Sequence, residues 1–306
     1  MKKLFYFSIL LAMAVSCGQS YEETKRLTRL ERQRLLRADS AALKVAVMPT
    51  LDCLPLYVAK HYNLFDSLGA DIRLKFFSAH IDCDTAILND RVEGSVTELV
   101  RAQRLMDKGK KLDFVTATDA YWLLVSNRNS RIKELRQLDD KMMSMTRFSV
   151  TDMLGDLAVD SAKLKHEKVY RVQINDVRVR LQMLHNNEMD ALFLTEPQAT
   201  EAIHAKHKLL LDSRRLDLKM GAFAFRVFDD ADTARHRQMA AFVKAYNMAC
   251  DSINKNGLGA YKELVTKYCA VKEATADSLR GMKFNHVAPP REKDIEAAKR
   301  WLKKKQ

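Results

Sequence analysis

The sequence predicts an α/β protein built on parallel sheets. Three observations predict it. From Leu43 to Phe225, short apolar strands alternate with helical segments at a spacing of roughly 15–20 residues. Several strands show strict apolar–polar alternation, as in Asp71-Ile72-Arg73-Leu74-Lys75-Phe76-Phe77. From Thr233 onward the chain is almost all helix.

The elements follow in order. Leu43-Lys44-Val45-Ala46-Val47-Met48 alternates and stops at Pro49, which reads as a strand. Leu54–Leu64 reads as a helix and 71–77 as the second strand. Residues 82–90 are helical, with Ser78 or Asp82 as N-cap candidates. A short strand lies around Gly94-Ser95-Val96, a helix over Leu99–Met106, and a strand over Leu112–Ala117. After Tyr121-Trp122-Leu123-Leu124-Val125 a second series begins. Its strands are 141–146, 169–174, 191–194, 209–211 and 221–225. Its helices are 151–164, 177–186 and 197–204. Helices are then expected at 233–254, 258–268, 273–280 and 291–304, with Pro290 in the first turn of the last. No internal repeat is present.

The N-terminus carries an export signature. Met1-Lys2-Lys3 precedes an apolar run from Leu4 to Val15, too short to span a bilayer. The run ends Ala14-Val15-Ser16-Cys17-Gly18, which resembles the lipobox of bacterial lipoproteins. That resemblance implies cleavage before Cys17, lipidation of Cys17 and a protein held at the cell envelope. Residues 18–40 then read as a polar tether with some helical spacing in Leu27, Leu30, Leu35 and Leu36.

Composition fits a folded exported protein. Apolar residues make up 47% and charged residues 30% of the chain, which excludes general disorder and a multi-span membrane protein. The net charge of +13 first suggests nucleic acid. Export argues against that partner. Removing Lys2 and Lys3 leaves 50 basic against 39 acidic residues, or +11. That charge suits a solvated surface or attraction to anionic lipid headgroups beside the anchor.

Further residues resemble a known family. Leu43–Pro49, Asp52, Pro55-Leu56-Tyr57-Val58-Ala59, Tyr62-Asn63-Leu64-Phe65 and Leu68-Gly69-Ala70 are similar to the opening of ABC-importer solute-binding proteins. The branch is that of nitrate, sulfonate, taurine and thiamine-precursor binders. Phe76-Phe77-Ser78, Asp84-Thr85-Ala86, Met189-Asp190-Ala191, Thr195–Thr200 and Trp301-Leu302 continue the pattern. Two positions depart from it. The acid of the Leu88–Gly94 segment precedes its Gly, and Phe148-Ser149 stands where a Gly-Ser is usual.

The resemblance implies a type II periplasmic-binding-protein fold, two α/β lobes around a ligand cleft with two crossovers. Residues 41–124 and 223–306 would form lobe one and 125–222 lobe two, with crossings near 121–128 and 216–226. It also implies a small-molecule ligand, an ABC permease as partner, no cofactor, no catalysis and a monomer. The four cysteines of the body leave two readings open, disulfides or buried free thiols. The implied fold pairs Cys53 with Cys83, on neighbouring strands, and Cys250 with Cys269, on consecutive helices.

Ligands of open parallel sheets bind at the carboxyl ends of strands. The candidates there are Thr50, Asp52, Ser78, His80 and Thr97 in lobe one. Tyr121 and Trp122 lie at the crossing, and Arg147, Ser149, Thr151, Thr195 and Glu196 in lobe two. Arg147 would supply a bidentate charge to an anion, and the hydroxyls would ring it. Plainer roles stand beside these: Ser149 or Thr151 as N-cap only, Trp122 as core, Glu196 as a helix-dipole partner. His80-Ile81-Asp82-Cys83-Asp84 has metal-like composition but no second cluster, so no metal site is expected. His204 and His207 read as a solvated pair on one helix face. Two other classes compete with transport: an envelope sensor or adaptor on the same fold, and an exported enzyme. No G-x-S-x-G, H-E-x-x-H or P-loop supports the enzyme.

Overall fold

The computed structural model describes residues 21–279 and 282–305. The expected signal segment, Cys17 and the start of the tether lie outside the described residues. The chain divides into two compact units, one ending at Ala42 and the body, residues 43–306. Within the first, α1 runs Tyr21–Ala41 and is exposed along its described length. The described part of the expected tether, from residue 21, is one continuous helix. Among the described residues no helix is long and apolar enough to cross a membrane.

The body contains two five-stranded sheets. The first uses β1 (Leu43–Val47), β2 (Ile72–Phe76), β3 (Gly94–Glu98), β4 (Leu112–Ala117) and β10 (Gly221–Arg226), in the order β2-β1-β3-β10-β4. The second uses β5 (Leu123–Ser126), β6 (Lys141–Met145), β7 (Val169–Gln173), β8 (Ala191–Leu194) and β9 (Lys208–Asp212), in the order β7-β6-β8-β5-β9. In each sheet the three strands on one side are parallel. In each, one strand runs antiparallel to both its neighbours: β10 between β3 and β4, and β5 between β8 and β9. Both of these strands have just crossed from the other sheet. The crossings occupy residues 118–122 and 213–220.

Helices fill the faces. Around the first sheet lie α2 (Leu54–His61), α3 (Leu64–Ser67), α4 (His80–Leu88) and α5 (Leu99–Asp107). The helix expected over 54–64 breaks at Asn63, whose φ of 53° is left-handed, a conformation Asn tolerates better than most residues. The second sheet carries α6 (Val150–Ser161), α7 (Val177–His185) and α8 (Gln198–His204). The C-terminal stretch forms α9 (Thr233–Asn256), α10 (Lys262–Cys269), α11 (Glu273–Ser278) and α12 (Glu292–Lys305).

Three apolar clusters hold these layers. One joins the first sheet to α9 and α10 through Phe223, Phe225, Phe242, Tyr246 and Val265. A second lies between β5, β8, α7 and α8. The third spans both sheets: Leu99 and Ala222 from the first meet Trp122, Met143, Leu154 and Phe193 from the second. Ala298 and Leu302 of α12 seal it. Trp301 Nε1 donates to Asp156 of α6 at 2.7 Å, and Arg171 pairs with Asp152 and Asp156 at 2.8 and 2.6 Å. The final helix therefore packs across the seam between the sheets.

The cysteine pairing is corrected. Cys53, Cys83, Cys250 and Cys269 are all free and buried. Cys53 Sγ accepts hydrogen bonds from Met48 N and Thr50 Oγ1, beyond the end of β1. Cys83 is instead hydrogen-bonded to Ser95 on β3, so the two thiols face different partners. Cys250 donates to the Asn285 carbonyl, whereas Cys269 closes α10. Burial pushes the Cys83 and Cys250 thiols up to about 12, far from the thiolate form.

The β3–β10 contact offers a test. Gly94 sits opposite Phe225, and a Cβ added there would lie 2.2 Å from its ring, which is buried. Gly94→Ala should destabilise the body by about 1–3 kcal/mol, read as a lower denaturation midpoint. An unchanged midpoint would show that the ring yields freely.

Candidate functional site

The antiparallel crossing strands leave the parallel ones pointing their carboxyl ends at a common seam. A small pocket opens there. Met48 and Thr50 reach it from beyond β1, His80 from beyond β2 and Glu98 from the last position of β3. From the second sheet come Thr146 after β6, Asn175 after β7 and Thr195 after β8. Trp122 precedes β5, and because β5 runs the other way its start lies at the same edge.

Charge is concentrated there. Arg101, in the first turn of α5, is 3% exposed. Its Nη2 binds Asp84 of α4, while Nε and Nη1 are buried and meet no protein acceptor. Arg180 of α7 is also buried, and its guanidinium donates to three neutral oxygens: the Ile174 carbonyl at 2.7 Å, the Phe193 carbonyl at 3.0 Å and Thr146 Oγ1. Burial, and then repulsion from Arg101, lowers Arg180 to about 10. A buried guanidinium with no carboxylate beside it costs several kcal/mol. Arg180 without a paired carboxylate, next to Arg101 with two unused donors, marks a place where charge is held for a partner.

One acid faces them. Glu98 is 1% exposed and caps α5, accepting from Val100 N at 2.8 Å and Arg101 N at 3.2 Å. It also takes a hydrogen bond from Val150 N, at the start of α6 on the other sheet. Burial raises it to about 7, with Arg101 pulling the other way. His80 is lowered to about 3 by burial, with Arg101 and Arg180 adding to the effect. Its ring hydrogen-bonds the Val96 carbonyl, and Nδ1 has no protein partner.

The turn before α6 is a hydroxyl cage. Ser149 Oγ accepts from Thr151 N and donates to the Thr146 carbonyl at 2.6 Å, and Thr151 Oγ1 accepts from Thr146 N. Phe148 holds a φ of 53°, a left-handed state uncommon for an aromatic residue. Arg104 of α5 lies 4.4 Å over its ring and ties the two sheets together there.

Six of the twelve sequence candidates line the pocket: Thr50, His80, Trp122, Ser149, Thr151 and Thr195. The other six are elsewhere. Arg147 is exposed, because the left-handed turn at Phe148 directs the chain onward before α6. Asp52 faces Thr118 at 3.4 Å, and burial raises its carboxyl. Thr97 Oγ1 turns to the Glu98 carbonyl within β3. Ser78 reaches Asp176 of the second sheet. Tyr121 donates to Glu196 at 2.8 Å, under the Arg214 guanidinium. Glu196 also accepts from Thr200 N, while its carbonyl accepts from Leu51 N of the first sheet. These bonds knit the two sheets beside the pocket rather than line it. His207 is corrected as well: it lies beyond α8, is buried, and stacks on His185 at 5.3 Å.

Sequence reasoning missed Glu98, Arg101, Thr146, Asn175 and Arg180. Glu98, Thr146 and Asn175 end strands or follow them, so the carboxyl-end rule could have found them. Arg101 and Arg180 sit one turn inside helices, where no spacing signal marks them. Among the described residues no group of three or more His, Cys, Asp or Glu is placed to hold a metal.

The architecture is that of a type II periplasmic binding protein: two mixed sheets, two crossovers and a pocket at the strand ends between them. Solved structures bear this out. The alkanesulfonate-binding protein SsuA from Xanthomonas axonopodis pv. citri, bound to MOPS, matches with a TM-score of 0.73 at 15% identity. The match covers 86% of this chain and 91% of that one. A ligand-binding component of an ABC-type import system from Staphylococcus aureus, with zinc bound, gives 0.70 at 14%, covering 86% and 91%. The periplasmic nitrate-binding protein NrtA from Synechocystis PCC 6803 gives 0.66 at 12%, covering 82% and 74%. At such identities the likeness is one of fold. No protein-family model matches the sequence, and no curated protein does.

Acid titration checks the burial of His80. Its folded value of about 3 lies below the ordinary 6.5, so its contribution to stability is complete above 6.5 and is lost as pH falls toward 3. His80→Gln should therefore lose less stability than the parent between pH 6.5 and 4. Parallel curves would place His80 in solvent.

Proposed function

We propose that the protein is an exported, lipid-anchored solute-binding protein. It captures a small organic or inorganic anion between its lobes and delivers it to an ABC importer. One observation carries the anion: Arg101, 3% exposed, lines the interlobe pocket and holds two buried nitrogens with no protein acceptor. Arg180 reinforces the positive field, and the hydroxyls of Ser149, Thr151 and Thr195 supply neutral donors around it.

The fold supports the role, and so do structures sharing it: an alkanesulfonate-binding protein, a nitrate-binding protein and a ligand-binding component of an ABC-type import system. Such a protein closes its lobes on the ligand by hinge motion at the crossovers. In this reading residues 43–117 and 221–306 act as one lobe and 123–212 as the other, bounds a few residues off those expected from the sequence, and the protein works as a monomer. The anchor rests on the Ser16-Cys17-Gly18 signature, with α1 as the arm between lipid and body.

Calorimetric titration of the mature protein with nitrate, methanesulfonate and propionate tests the binding. At least one should bind and raise the melting temperature. Arg101→Lys keeps a cation for Asp84 but loses the fork, so affinity should fall at least tenfold. Absence of binding by all three anions would defeat the reading. Cys17→Ser should move the protein from the membrane to the soluble fraction. Persistence at the membrane would mean that Cys17 is not the anchor.

A further inference from the structure

Glu98 stands in an unusual place for a carboxylate beside a ligand pocket. It accepts N–H bonds at the start of α5 and from Val150 N at the start of α6. These helix ends carry partial positive charge and unpaired N–H groups. They are the positions an anionic head would seek. The free nitrogens of Arg101 lie in the same pocket. A bound anion would therefore share with the Glu98 carboxylate both a helix end and a guanidinium. Two negative charges a few ångströms apart in a buried site repel by several kcal/mol.

We infer that Glu98 is the specificity residue of this pocket and that an anion enters together with one proton, which neutralises the Glu98 carboxylate. This rests on the anion-binding reading above. The balance is simple: one anion and one proton from solvent join the protein, no bond to carbon is made or broken, and the net charge of the pocket is unchanged. Protonated Glu98 keeps one oxygen for the helix N–H groups and gains an O–H that can donate to the anion. The same requirement selects against dianions, which would bring a second charge with no second proton acceptor to absorb it.

The surrounding groups leave Glu98 alone in this role. From its own helix Arg101 faces it, and from α4 Asp84 and His80. Burial raises Asp84 as well, but its carboxylate is paired with Arg101, which favours the charged form, and His80 stays neutral down to about 3. From α7 comes Arg180, a cation throughout the physiological range. From α6 the neighbours Ser149 and Thr151 carry no charge, while Asp152 pairs with Arg171. Burial places the Glu98 titration near 7, so the proton is available at modest cost.

Titration of whichever anion binds, at pH 6 and pH 8 in buffers of different ionisation enthalpy, tests this. The parent protein should take up close to one proton at pH 8, and its affinity should fall about tenfold per pH unit above 7. Glu98→Gln, uncharged and still able to cap α5, should take up none. It should bind as tightly at pH 8 as at pH 6 and at least as tightly as the parent at pH 6. Glu98→Asp should keep the proton uptake. Equal parental affinity at both pH values with no proton uptake would overturn the inference while leaving the anion reading intact. Weaker binding by Glu98→Gln at both pH values, in a protein that melts normally, would also overturn it. Failure of every anion to bind either protein would remove both.

Discussion

Each sheet of the body contains one strand that runs against the other four, and each of those strands has just arrived from the opposite sheet. Much else follows from this exchange. A strand that crosses and pairs antiparallel sets the carboxyl ends of the parallel strands of both sheets at one seam. It also brings the start of β5, with Trp122, to that seam. The core spanning the sheets, the Tyr121–Glu196 bond and the Leu51–Glu196 backbone bond all lie along it. The last helix then packs over the seam through Ala298, Leu302 and Trp301.

The seam is where the protein tolerates charge in a low-dielectric setting. Arg101 is stabilised by one ion pair and keeps two donors unused. Arg180 is stabilised by neutral oxygens alone. Glu98 is held by helix N–H groups that pull its carboxyl toward ionisation, yet burial wins and raises it. Full satisfaction of these groups would make a quieter interior. Their incomplete satisfaction gives the pocket its unused donors and its sensitivity to protons. The remaining polar groups nearby are closed off in pairs, as Ser149 with Thr151 and Asp152 with Arg171.

Much of the fold was legible because strand and helix periods are local. The span 191–194 was expected residue for residue, and most other boundaries moved by one to three positions. The end of α2 at His61 rather than 64 follows from left-handed Asn63, and the start of α10 at Lys262 rather than 258 from the 3-10 turn over Leu258–Tyr261. The site was half legible. Thr50, His80 and Thr195 follow from the rule that ligands meet strand ends. Arg147 sits in the right loop on the wrong face, because one left-handed residue sends it outward. The cysteines were misread because neighbouring elements do not guarantee facing thiols: Cys83 meets Ser95, and Cys53 meets its own turn.

The sequence by itself determined the element order, the α/β class and the set of strand-end hydroxyls. Those properties depend on neighbours a few residues apart. Tertiary structure alone decided which arginines became the pocket's cations and that Glu98 would bridge the starts of α5 and α6. It also decided that α12 would join both sheets. Residues 98, 101, 150 and 180 are scattered over more than 80 positions, and no local period records that they share one desolvated space. Desolvation turns an ordinary Arg or Glu into a site, and it is a property of the packed chain.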